Sequence, residues 1–232
     1  MDIVWPIIGG LVALSIPVLI IGGAVYLISK LGGVSSIKFS YRAAMRIYFH
    51  TVLLISIGLF TIGGVSTLLK VGFGELVGPQ FSYGNVYQDH RHDQKEKQQD
   101  NYPAHLDGEA RTLPEKINDE ITGNLINGIS MSIIGLFLLF IHYFGAKWIE
   151  TNSERSDLLR KCYLLTGLAI FTLVTLISLT ASVPETLRYA LIETERGEGS
   201  PGETLAIAIS ALPVWIVYLV LTIKKTRANE NY

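Results

Sequence analysis

TGNLINGISMSIIGLFLLFIHYFGA, residues 122–146, contains no Asp, Glu, Lys or Arg. As an α-helix, a run of about 25 residues rises roughly 37 Å, at about 1.5 Å per residue. That exceeds the ~30 Å hydrocarbon layer of a bilayer. Lipid offers no partner to backbone N–H and C=O groups, so a single span of this kind has to be helical.

Four further apolar runs lie at about 3–29, 47–69, 162–181 and 204–223. The expected fold is therefore an all-α integral membrane protein with five transmembrane helices, kinked at Pro17 and Pro213. Apolar residues make up 49% of the chain and charged residues 17%, and the charges are gathered between the runs. A net charge of −1 argues against nucleic acid as a partner, because binding it needs a basic surface.

Orientation follows from the basic residues. Lys30, Lys38, Arg42 and Arg46 follow the first run, Lys147, Arg155, Arg160 and Lys161 follow the third, and Lys224, Lys225 and Arg227 follow the fifth. These are eleven of the nineteen Lys and Arg residues. The positive-inside rule places them in the cytoplasm, giving N-outside/C-inside topology in the cell inner (cytoplasmic) membrane. The first run is preceded only by the acidic Met1-Asp2, is longer than a signal-peptide core and lacks an A-x-A-like site. It reads as a retained helix.

The segments assigned to the outside are polar, the longer running from about 72 to 120 with Tyr83, Tyr87 and Tyr102 interspersed. Thr112-Leu-Pro-Glu115, Ser182-Val-Pro-Glu185 and Ser200-Pro-Gly-Glu203 are capping boxes, each with a proline near the first turn. They predict three helix starts, including a separate helix at about 183–196 lying on the outer membrane surface.

Two helix pairs resemble each other. Met45-Arg-Ile-Tyr-Phe-His-Thr51 aligns with Arg160-Lys-Cys-Tyr-Leu-Leu-Thr166, and Ile129–Leu136 with Leu205–Leu212. A two-span unit returns to its starting side, so the copies are expected to be parallel. The domains expected are 1–40, an N-terminal transmembrane helix and basic loop; 41–156, a first two-helix repeat; and 157–232, a second repeat with a basic tail. The starts RIYFH and RKCYLL and the returning helices GLFLLFIHYFGAKW and ALPVWIVYLVLTIKK resemble a bacterial integral-membrane domain family of unknown function built from repeated transmembrane helix pairs. The resemblance covers about 41–227 and implies no activity.

Ionisable groups in a bilayer are functional candidates because they are costly there. The spans as drawn hold none deep inside, and Lys70 falls at the outer end of the second. His50 and His142 lie about 6 Å and 7.5 Å in from Arg46 and Lys147, at 1.5 Å per residue. Together they can clamp a haem b, or either can ligate a chlorophyll-type pigment. The ordinary alternative is interfacial hydrogen bonding. In the repeat, Leu165 and Tyr218 occupy the matching positions. His90 and His92, with His105 downstream, offer metal ligands in a polar loop, though Arg91 and Lys95 oppose a cation. Cys162, the single cysteine, reads as a small interfacial residue or as an acylated thiol.

Gly9, Gly22, Gly63, Gly128, Ser132, Ala206 and Ser210 read as small-residue surfaces for helix packing. Nucleophile-elbow, Walker A, H-E-x-x-H and C-x-x-C motifs are missing, so neither an enzyme nor a nucleotide site is expected. The function expected is a non-catalytic multi-pass accessory subunit, in contact with membrane lipid and other membrane protein subunits, in a respiratory or photosynthetic membrane complex. The alternatives are a pigment or electron-transfer subunit using His142 and His50, and a small transporter or channel.

Overall fold

The structure, a computed structural model, describes residues 41–99, 111–149, 157–192 and 199–230. The apolar run at 3–29, with Gly9 and Gly22, lies outside the described residues, as does His105. Among the described residues the regular structure is helical throughout. Helix α1 (Tyr41–Gly58) passes through a π-helical segment (Leu59–Val65) into α2 (Ser66–Leu76). Then come α3 (Pro79–Gln99), α4 (Leu113–Ile149), α5 (Asp157–Leu191) and α6 (Pro201–Glu230).

Among the described residues, four helical stretches are long and apolar enough to cross a membrane: Ala44–Leu76, Leu113–Ile149, Leu159–Leu191 and Pro201–Arg227. The chain is thus an all-α, multi-pass membrane protein by the length and composition of its helices.

The capping boxes divide in an informative way. At Thr112 the box closes: its backbone N–H donates to Glu115 Oε2 at 2.8 Å, and α4 starts at Leu113. At Ser200 a helix also starts, with Pro201 in its first turn, but Glu203 turns away from the cap to a lysine described below. At Ser182 no helix starts. Helix α5 continues to Leu191 with Pro184 inside it, and Glu185 instead accepts a hydrogen bond from Thr204 Oγ1 at 3.0 Å. The separate surface helix expected at 183–196 is therefore, as far as Leu191, the end of α5. A proline interior to a helix is better tolerated in a membrane span than in water.

The expected polar loop from 72 also differs. Residues 79–99 form α3. Leu76, Val77 and Gly78 turn the chain, with Gly78 at φ +129, in the left-handed region where a side chain is disfavoured. Pro79 then begins α3, a first-turn position suited to its fixed φ. Phe81, Ser82 and Tyr83 anchor it, at 4%, 0% and 0% exposure. Tyr83 (φ −125, ψ 30) breaks the helical geometry.

The chain divides into two compact units. The first comprises 1–60, 133–172 and 213–232, and the second 61–132 and 173–212. In the first, Gly145 admits the ring of Phe49, and Gly135 lies against Phe60. In the second, the π segment packs on α4 without room for a side chain. A Cβ on Gly64 would lie 2.9 Å from both Cα and N of Ser132, and one on Gly128 would lie 2.9 Å from Leu68 Cδ2.

Candidate functional site

Within the second unit, Lys70 is 7% exposed. A buried ammonium needs a counter-charge, and Lys70 Nζ donates to Glu203 Oε2 at 2.6 Å, with the ring of Tyr83 5.5 Å away as a second electron-rich neighbour. The glutamate side chain remains 47% exposed. Lys70 lies six residues before Leu76, the end of the first described span, and Glu203 is the third residue of α6. Both fall one position beyond the apolar runs 47–69 and 204–223, because a charged residue ends a hydropathy run even where the helix continues.

A cavity of about 140 Å³ adjoins the pair, lined by Ile62, Ser66, Thr67, Lys70, Asn124, Glu203 and Ile207. Ser66 and Thr67 follow directly on the π segment. Their hydroxyls donate back along their own helix, Ser66 to the carbonyl of Ile62 and Thr67 to that of Gly63, the latter at 2.8 Å. Asn124 Nδ2 donates to Glu120 Oε1 at 3.2 Å. π segments inside α-helices are frequent at functional sites.

Outside the spans, burial pushes the Tyr83 phenol above its ordinary pKa. Asn124 pulls it back in part, while Glu120 and Glu75 add to the rise. Ser200 Oγ donates to Asn85 Oδ1 at 3.1 Å, linking α3 to the start of α6.

The first unit holds His142 and His50. His142 is 8% exposed. Its Nδ1–H donates to the Leu138 carbonyl at 2.8 Å, which leaves Nε2 to accept from Tyr48 O–H at 3.3 Å. Phe49 packs against the same imidazole, with centroids 5.8 Å apart. The Nδ1–H of His50 donates to the Arg46 carbonyl at 2.8 Å, and its ring meets Tyr163 edge-on at 5.0 Å. The two imidazoles are thus packed against different aromatic partners. Ligation by His142 Nε2 requires Tyr48 to give way. Tyr163 and Tyr218 share a hydroxyl–hydroxyl bond of 2.9 Å, and Phe171 stacks on Tyr218.

His90 and His92 lie on α3. Gln94 Nε2 donates to His90 Nε2 at 3.0 Å, and His92 is exposed. The groove beside His90 is also lined by Arg111 and Lys116, and Lys116 pairs with Asp93 at 2.7 Å. Among the described residues no group of three or more His, Cys, Asp or Glu is placed to hold a metal ion. Cys162 is 1% exposed.

Of the small residues, a Cβ on Gly63 would meet the Met131 side chain at 3.4 Å, Ala206 and Ser210 are buried, and a Cβ on Gly64 would meet Ser132. Compared with protein-family models, with characterised proteins and with solved structures, the chain shows no match.

Proposed function

We propose that the chain is a non-catalytic multi-pass membrane subunit that binds other membrane proteins along α4. The observation that carries this reading is the exposure of that helix. Only 17% of its most apolar stretch is buried, against 39% for α5. Within the first unit its open face is a stripe at helical spacing: Ile133, Phe137, Phe140, Phe144 and Trp148, between 55% and 91% exposed. Lipid needs only aliphatic cover. Large aromatic rings in register favour a shaped protein partner, because helix association in a bilayer depends on close van der Waals contact.

The proposed topology has five spans, N-terminus outside and C-terminus in the cytoplasm, in the cytoplasmic membrane. The proposed setting is an energy-transducing complex, respiratory or photosynthetic. The reading of 41–156 and 157–232 as copies of one helix pair gains support from two contacts. Tyr48 aligns with Tyr163, and His142 with Tyr218. The hydrogen-bonded pairs are Tyr48–His142 and Tyr163–Tyr218.

Native electrophoresis of mildly solubilised membranes tests the subunit reading. The wild-type chain is expected in a species much larger than its own 25.6 kDa. Replacing Phe137, Phe140 and Phe144 by Leu keeps the helix apolar but flattens the stripe, and should release a single chain. Migration of the wild-type protein as a single chain would refute the proposal. Labelling of His90→Cys from outside and Asn229→Cys from the cytoplasm checks the topology.

A further inference from the structure

The groups around the Lys70 cavity offer several oxygen lone pairs beside the N–H groups of Lys70 and Asn124. Ser66 and Thr67 direct their hydroxyl hydrogens at the carbonyls of Ile62 and Gly63, so their oxygens are left as acceptors. Asn124 commits an amide hydrogen to Glu120 and keeps its carbonyl oxygen. Glu203 gives one oxygen to Lys70 and has the other available, on a side chain that is 47% exposed. The one cationic donor of the lining, Lys70, is already held by that glutamate. An anion would therefore meet the Glu203 carboxylate, whereas a cation would meet the oxygens of Ser66, Thr67, Asn124 and Glu203 in competition with the Lys70 ammonium.

We propose that this cavity is a binding site for a small monovalent cation of sodium size, sharing the Glu203 carboxylate with the Lys70 ammonium. Hard cations take hydroxyl, amide carbonyl, carboxylate and water oxygens, and the lining supplies the first three. A divalent ion is disfavoured. Its sites generally draw on several carboxylates, and here Glu203 is the only one in the lining and Lys70 already balances its charge. A volume of about 140 Å³ accommodates an ion with part of its water shell, since a water takes about 30 Å³ in the liquid. Ile62 and Ile207 are the apolar residues of the lining. In this arrangement Lys70 is a tethered competitor. Its own positive charge occupies part of a cation site and keeps the affinity of that site low.

Equilibrium binding of radiolabelled sodium to the full-length protein in lipid nanodiscs tests this. Wild type should bind sodium saturably and weakly, with choline unable to compete. Lys70→Met removes the tethered charge and leaves Glu203 in contact with water, so sodium should bind at least about tenfold tighter. Ser66→Ala combined with Thr67→Val keeps the ion pair but removes two oxygen ligands, and should weaken binding by about fivefold or more. This second variant carries the test if Lys70→Met does not fold. Absence of saturable sodium binding to both wild type and folded Lys70→Met would overturn the proposal. So would unchanged affinity in the Ser66/Thr67 variant, or binding of labelled chloride that strengthens in Glu203→Gln, which would make it an anion site.

Discussion

Two glycines in the first described span should respond oppositely to the same added methyl group. At Gly64 a Cβ would sit 2.9 Å from the Cα and backbone nitrogen of Ser132, and closer still to its hydroxyl. The hydroxyl can rotate away, but the backbone atoms cannot. Ordinary contact therefore requires the helices to part by about half an ångström, and overpacking of this sort costs about 1–3 kcal/mol. Helix propensity returns at most about 1 kcal/mol for Gly→Ala. With that full return taken off, Gly64→Ala should still lose up to about 2 kcal/mol net, or up to about 8 °C for a chain of this length. Eight residues on, Gly72 has nothing within 4 Å of its would-be Cβ. Gly72→Ala should be neutral or stabilising by up to about 1 kcal/mol. Thermal unfolding in one detergent, followed by helical circular dichroism, compares the two. Adding Ser132→Gly to Gly64→Ala should recover only part of the loss, because Cα and N remain in place. Equal shifts for Gly64→Ala and Gly72→Ala would refute the close approach of the π segment to α4.

Three other outcomes are expected. Tyr163→Phe and Tyr218→Phe each remove the same 2.9 Å bond, so each should cost about 0.5–1.5 kcal/mol; denaturant unfolding of the double variant should show much less than the sum. The Tyr83 phenol is raised above the usual value near 10, so both folded and unfolded forms keep their proton below that pH. Above it the unfolded chain ionises first, and stability falls as pH rises through the alkaline range; the slope of melting temperature against pH should be flatter in Tyr83→Phe. A tetrapyrrole on His142 would have to displace Tyr48 from Nε2. In that case Tyr48→Phe should raise the Soret absorbance of protein purified with its native lipids and His142→Leu should abolish it, whereas identical spectra in all three would leave His142 with its hydrogen-bonding role alone.

The spans were legible because an apolar run of sufficient length has few alternatives. Their ends were less so. A hydropathy run stops at its first charge, so Lys70 reads only as the outer end of the second run and Glu203 only as the glutamate of a capping box, although each belongs to an apolar helix. Their pairing, 133 residues apart, leaves no local signature. The Ser200 box pointed to a helix start but could not show that Glu203 would serve Lys70. The Ser182 box was a local signal overruled by the continuity of α5 through Pro184. For α3 the polar composition masked a helix whose fixed point is tertiary, the burial of Phe81 and Tyr83. The histidine pair was visible as two residues at similar depth, but their separate aromatic partners, Tyr48 and Tyr163, were set by packing.

The distance along the chain between Lys70 and Glu203 has a consequence for biosynthesis. Ribosomes add about 5–20 residues per second, so Lys70 emerges roughly 7–27 s before the glutamate that will neutralise it. During that interval the ammonium near one end of the first described span has no counter-charge from α6, and its long side chain can reach only for the interface. Chains interrupted before α6 would retain that exposed charge permanently. A chain terminated after α5 lacks Glu203, so it is expected to be degraded faster in the membrane than one that carries α6.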